Sequence, residues 1–395
     1  MRTKQYTEGI ILMKKNLTEN STHRLRAANK RYRRSLRIKG PGVLGYVSFR
    51  HLKPKFKDSN LTHNLVNPTV YAPPQLDMYA RSNLELFSNF LENLRLSSKY
   101  NDHVIISFKG TNEITACAGL RLLAEVSHLL KLYPTLSFSC SFAKQRHNRN
   151  KKTYNRIEQG LQQIGFFDAI RQPNIPLSRN EHVAVWQQLS GNLADGSLAA
   201  SLLNSLPDSI SKISKSHLYK GAIEAMANSV DHAYPSEEAE NSNAENRWWM
   251  LVGKMQNSIT QIVCDLGVGI PVTLPKKHEE SLLTTIFRKI GILGSGDAEL
   301  IHASTFIKRS RTNLPYRGKG GADIRSITEH FPSALLSIRS NRGCYVVAGP
   351  DHPGIVSDGY EEIQGAKGRE WSASYNGSIH GTMIEWTVSL KDLEA

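Results

Sequence analysis

Residues 221–234 read GAIEAMANSVDHAY and residues 261–271 read QIVCDLGVGIP, and these two stretches decide how the chain is interpreted. In the first, Glu224, Asn228, Asp231 and His232 recur at helical spacing, so a helix carries them on one polar face. Ala222, Met226, Ser229 and Ala233 form the opposite stripe, which suits packing on a sheet while the polar face looks into a cleft. The second stretch is a short apolar strand ending in Asp265, followed by Gly267 and Gly269. A carboxylate at a strand end can accept from an exocyclic amine, and two glycines let a ligand approach the backbone, an arrangement suited to a purine. His232, at the helix end, also suits carbonyl capping.

Further along, residues 317–331 read RGKGGADIRSITEHF. Gly318, Gly320 and Gly321 run into a predicted helix with Ile324, Ile327 and Phe331 on one face. Backbone amides at a helix N-terminus bind phosphate, and Lys319 adds a positive charge there. Gly381-Thr382 then opens a predicted strand, MIEWTV.

In this order the four segments resemble the N box, the two glycine boxes and the last motif of the GHKL ATPases. That group holds type II topoisomerases, Hsp90, MutL, sensor histidine kinases and anti-sigma-factor serine kinases. The wording ExxxNxxxHxY is nearest the last of these, and the resemblance covers about Leu206 to Leu390. It implies an α/β sandwich, with helices on one face of a mixed sheet, that binds ATP and Mg²⁺. It also implies that Glu224 orients or deprotonates the attacking nucleophile and that Asn228 ligates Mg²⁺ through its amide oxygen. One or two protein oxygens suffice for that ion. By the same resemblance Asp265 hydrogen-bonds the adenine amino group and the Thr382 hydroxyl backs it. Asp231, Gly267, Gly269, Arg317 and Gly318 join the nucleotide-binding set, as do Lys319, Gly320 and Gly321. Where the family more often ends Gly-Leu-Gly, this chain has Gly321-Ala322-Asp323, placing an acid close to the phosphates. Serine kinases and hydrolases of the group share the Glu, so phosphate transfer to water and to a protein hydroxyl both stay open. No phosphoacceptor-histidine dimerisation helix precedes the N box, which argues against a sensor histidine kinase.

The net charge of +15 over 395 residues is concentrated at one end. Residues 1–57 hold 16 Lys and Arg against Glu8 and Glu19, nearly the whole excess. A dense cluster, HRLRAANKRYRRSLRIKG, spreads cations around all sides of a helix, so a membrane-surface helix is not expected and nucleic-acid phosphates are the natural partner, with Tyr32 available to stack. A solvated tail fits the same composition. Cys117, Cys140, Cys264 and Cys344 have no CxxC spacing and read as free thiols of a reducing compartment. No apolar run is long enough to span a bilayer, and GIILM at 9–13 is too short for a signal peptide. A cytoplasmic protein is expected.

The remaining chain organises around these features. Residues 1–74 form the basic arm. Residues 75–172 alternate strand and helix: Leu84, Phe87, Leu91 and Leu94 make one helix face, HVIISF a buried strand, and helices over about 116–130 and 154–164 flank a strand at 136–142. That order predicts an α/β unit with a mainly parallel sheet. ITACAGLRLLAEVSHLL and GLQQIGFFDAI resemble the STAS domain of anti-sigma-factor antagonists, which implies a docking or regulatory role. Ala116-Cys117 stand where that family has Asp-Ser, so the phosphoacceptor serine is absent and Thr115 is only a weak substitute. Residues 173–206 read as a helical junction, and residues 207–390 as the GHKL-type domain. Within the latter, 235–246 is an acidic insertion, and KRSRTNLPY, with Arg309 and Arg311, occupies the place of the family's ATP lid. The expected partners are ATP, a protein partner or second copy, and nucleic acid through residues 1–57. The alternatives are a nucleic-acid-associated ATPase and a module that holds nucleotide without turnover.

Overall fold

A computed structural model describes residues 67–143, 154–176, 185–234, 248–255, 257–291, 294–307, 320–355, 359–363 and 369–395. The basic residues 1–57, the loop 144–152, the insertion 235–246 and the lid-like cations Arg309 and Arg311 lie outside the described residues. Two compact units divide after Leu177, and both combine helices with sheets, so the chain is of the α/β class.

In the first unit, β1 (Thr69–Tyr71), β3 (His103–Ser107) and β5 (Ser137–Ser141) form a parallel sheet in the order β1-β3-β5. β2 (Gln75–Leu76) and β4 (Glu113–Ile114) form a second parallel pair. Parallel neighbours need crossovers, and α1 (Arg81–Tyr100) and α2 (Ala116–Leu132) supply them. Leu84, Phe87, Leu91 and Leu94 of α1 are all buried, as their spacing requires. α3 (Arg156–Gln163) opens on a reciprocal cap, in which Asn155 Oδ1 accepts from Glu158 N and Glu158 Oε2 from Asn155 N, both at 2.8 Å. α4 (Phe166–Ala169) completes the unit with Phe166 and Phe167 against Phe108 and Phe142. Inside, Glu125 of α2 accepts from Arg95 Nε at 2.6 Å and from Arg121 Nη1 at 2.8 Å. β1 shows that folded chain begins within residues 1–74, ahead of Gln75.

The second unit is built on one eight-stranded sheet, ordered β11-β12-β10-β9-β13-β8-β7-β6. The strands are β6 (Val185–Gly191), β7 (Trp248–Met255), β8 (Ser258–Cys264), β9 (Leu335–Ser340), β10 (Gly343–Ala348), β11 (Glu361–Glu362), β12 (Glu370–Ser374) and β13 (Thr382–Ser389). Every pairing in it is antiparallel, where a mixed sheet was expected. The physical reason is local: β7–β8 and β9–β10 are tight hairpins, and the longer connections return the chain reversed beside its neighbour. The stretch expected to be a helical junction contains β6, the edge strand paired with β7, and α5 (Gly196–Asn204), so 173–206 is largely part of this unit. The alternation in VWQQLSG is weak, which hid the strand.

α5, α6 (Lys212–His232) and α10 (Gly320–His330) share one core with a single face of the sheet, including Trp248, Met250, Val263, Ile338, Ile384 and Trp386. α7 (Ile270–Lys277), α8 (Glu280–Lys289) and α9 (Asp297–Ser304) follow β8, and α11 (Leu390–Glu394) ends the chain. The apolar stripe expected on α6, Ala222, Met226, Ser229 and Ala233, is buried. Two side chains from one cross-strand pair pin the helices: Gln261 Nε2 donates to Leu218 O of α6 at 3.1 Å, and Trp386 Nε1 donates to Ile324 O of α10 at 3.0 Å. Gln261 is fully buried and its Oε1 has no partner among the described residues, a cost of about 1–3 kcal/mol borne by the pin.

Candidate functional site

α6 starts where Ser211 accepts from Ser214 N at 3.1 Å, and it ends against the loop after β8. There Val268 N donates to Ala233 O at 2.9 Å, and a Cβ on Gly267 would lie 2.2 Å from that same oxygen. Gly269 has φ +85°, and its Cβ would strike the Asn341 side chain at 2.7 Å. These glycines permit a close approach of the protein to itself, to Ala233 O at Gly267 and to the Asn341 side chain at Gly269.

Asp265 is buried where β8 meets β13. Its Oδ1 accepts from Gly267 N at 2.9 Å and from Thr382 N at 3.1 Å. Ser229 Oγ of α6 lies 3.3 Å from Asp265 Oδ2 and 3.0 Å from Ala225 O, sharing one proton between them. Thr382 thus backs Asp265 with its amide, whereas its hydroxyl, the group expected there, pairs with Ser340 Oγ at 3.0 Å. Ser340 is fully buried, accepts from Ile270 N at 2.9 Å and reaches Gly381 O at 3.1 Å, so it ties three loops together. Its neighbour Asn341, held at φ +50°, donates from Nδ2 to Val268 O at 2.8 Å. Gly381, at φ +108°, leaves room for Asp265 O, which an added Cβ would meet at 2.3 Å. The sequence reading missed Ser229 as a partner of Asp265, and it missed Ser340 and Asn341; the turn-forming Ser-Asn-Arg-Gly at 340–343 was the available signal.

On the other side of α6 runs α10, antiparallel to it. The register has three rungs. The His217 and His330 rings are 3.8 Å apart, a Cβ on Gly221 would meet Ile327 Cδ1 at 2.8 Å, and Glu224 feels the Asp323 carboxylate. Steps of three and four residues along both helices carry the next rung to Asn228 and Gly320, the first residue of α10. Burial first, then Asp323 and Asp231, push the Glu224 carboxyl above the usual range. The Asn228 amide is half-buried with no hydrogen-bond partner among the described residues. Asp323 itself sits in the first turn of α10, where the helix dipole favours an acid.

Asp231 and His232, at the end of α6, lie close enough to Lys277 of α7 to interact with its charge. Lys277 is brought down to about 8 by burial, with Asp231 opposing, and His232 is lowered by burial and by Lys277. Of the second glycine segment, Gly320 and Gly321 are described, while Arg317, Gly318 and Lys319 lie outside the described residues. The structure therefore gathers Asp265, Gly267, Gly269 and Thr382 on one side of α6 and sets Glu224 and Asn228 along the α6–α10 seam. No cluster of three metal-ligating His, Cys, Asp or Glu side chains occurs among the described residues. No helix among them is long and apolar enough to cross a membrane. No protein-family model matches the chain, and no curated protein sequence matches it.

Proposed function

We propose that the chain binds ATP with Mg²⁺ in the manner of the GHKL ATPases and uses it as a hydrolase or protein-phosphorylating switch. The observation that carries this reading is the register of the α6–α10 seam. It brings a helix N-terminus, suited to phosphate, alongside Asn228 and Glu224, while Ser229 one residue on touches the strand-end carboxylate Asp265. An adenine amino group would fall to Asp265 Oδ2, because Oδ1 already takes two backbone amides. The residues fit a magnesium ion: the half-buried, unpartnered Asn228 amide offers one oxygen, and Mg²⁺ takes most of its shell from phosphates and water. When bound, the ion neutralises phosphate charge. Glu224, kept partly desolvated, is placed to accept a proton from the attacking hydroxyl or water.

ATP titration of the full chain and of Asn228→Ala, with and without Mg²⁺, tests the reading. The expected result is Mg²⁺-dependent binding by the wild type, weakened at least tenfold in the variant. Equal affinity in both, or none in the wild type, overturns it. Radiolabel transfer to a protein separates a kinase from a hydrolase. In this reading the parallel-sheet unit serves as a STAS-like docking element and residues 1–57 as a nucleic-acid contact; phosphate release stimulated by DNA tests the latter.

A further inference from the structure

Glu370 of β12 joins four elements. Its Oε1 accepts from Arg325 Nη2 of α10 at 2.6 Å and its Oε2 from the Tyr345 hydroxyl of β10 at 2.8 Å. His302 Nε2 of α9 lies 3.1 Å from Oε2, out of line for a hydrogen bond. Arg325 Nη1 also donates to the Tyr345 hydroxyl. His302 stacks on Tyr345 with centroids 4.5 Å apart, and the Arg325 guanidinium sits 4.8 Å from the centre of the Phe306 ring. Burial alone would raise the Glu370 pKa, but His302, Arg325 and Tyr345 outweigh it and hold it at about 2, so the cluster keeps its charge at neutral pH.

The cluster fixes the start of α10 in two ways. Arg325 lies five residues beyond Gly320, so its two hydrogen bonds, from Nη1 to the Tyr345 hydroxyl and from Nη2 to Glu370, restrain the rotation of the first turns. The end of α9 and the start of α10 also touch, because a Cβ on Gly321 would lie 2.2 Å from Ser304 O. α9 is in turn held by His302 against Glu370 and Tyr345.

We propose that Glu370 is a positioning residue for anion binding at the N-terminus of α10, acting through Arg325 to aim the amides of the Gly320–Gly321 turn at nucleotide phosphates. This rests on the nucleotide reading above. Hydrogen bonds weaken steeply once donors turn off line, so a small rotation of the first turn of α10 about the Trp386–Ile324 pin is enough to weaken phosphate contacts. The hydrogen bonds that hold Asp265 and Thr382 share no residue with the Glu370 cluster. The role is thus specific for the phosphate end of the ligand.

The test is titration of the full-length chain with adenosine, ADP and ATP in Mg²⁺. It compares wild type with Glu370→Gln, with the milder Tyr345→Phe, and with Glu385→Gln as a control. Glu385 pairs with Arg339 at 3.3 Å on the opposite face of the sheet, so its loss perturbs a buried ion pair without touching α10. Expected is a fall of about tenfold to a hundredfold in ATP affinity for Glu370→Gln, a smaller fall for Tyr345→Phe, and unchanged adenosine affinity in both. Equal losses for adenosine and ATP, or the same ATP loss in Glu385→Gln, overturn the inference while leaving the nucleotide reading intact. Should Glu370→Gln fail to fold, Tyr345→Phe decides alone. A wild type that binds neither ATP nor adenosine overturns the nucleotide reading, and this inference with it.

Discussion

Glu125 in the first unit and Glu370 in the second are the same electrostatic device in two settings. Each carboxylate is held at about 2 against its burial, Glu125 by Arg95 and Arg121, Glu370 by His302, Arg325 and Tyr345. Glu125 is locked between α1 and α2, and both it and Arg121 are about 1% exposed. Glu370 is partnered from three elements, one of which, α10, begins at Gly320 within two turns of Arg325. The contrast shows that a buried ion pair acquires a positioning role from what its partner carries onward rather than from its own strength.

The largest expected effect attacks the purely structural member. Glu125→Gln leaves Arg121 buried and under-compensated and should cost about 3–5 kcal/mol in denaturant unfolding of the first unit. ATP affinity should not change, and a parallel loss of affinity would erase the distinction between the two carboxylates. Next, Asp265→Ala strips a partner from the amides of Gly267 and Thr382 at once, at about 1–3 kcal/mol for each stranded donor, and should abolish nucleotide binding. Retained ATP binding in a folded Asp265→Ala protein would remove Asp265 from the adenine role.

Acid titration sharpens the comparison further. Both folded-state values lie below the 4.5 of an unperturbed glutamate, so the stabilisation is fully present above about pH 4.5 and lost as pH falls through 2. Unfolding followed from pH 5 to pH 2 should steepen over that window, and Glu125→Gln should flatten it. A smaller effect belongs to Asn341→Gly, which relaxes a left-handed backbone but removes the bond to Val268 O; a net loss of about 1 kcal/mol is expected in thermal unfolding. The smallest is Asp323→Asn. Removing a like charge facing Glu224 should lower the Glu224 pKa, read by NMR titration, while stability changes by no more than a few tenths of a kcal/mol because the lost repulsion is offset by the lost dipole interaction at the start of α10.

Much of the fold is legible because periodicity reports burial directly. The α1 face of Leu84, Phe87, Leu91 and Leu94 and the α6 stripe of Ala222 and Met226 were readable from spacing alone. Asp265 and Gly267 were readable as a strand end followed by a turn, while Thr382 was joined to them only by the resemblance to the GHKL motifs. What spacing cannot report is which atoms of those residues meet. The amide of Thr382 replaced its hydroxyl because Ser340, from a hairpin more than 40 residues upstream, claimed the hydroxyl. Glu370 was invisible for the same reason: its partners lie 25 and 45 residues away along the chain, and only the folded sheet makes them neighbours. Strand pairing direction escaped too, because alternation tells which side chains face the core but not which way the next strand runs.

The pin from Trp386 to Ile324 O makes α10 a lever with its fulcrum inside the sheet. Gly320 lies four residues from the pinned carbonyl and His330 six, so any tilt that lifts the first end lowers the second by about half as much again. His330 rests on His217, with ring centres 3.8 Å apart, so that contact is a gauge for movement at the opposite end. Ring-current shifts in the two imidazoles would register, some 15 Å away along the helix, whatever the N-terminus of α10 takes hold of.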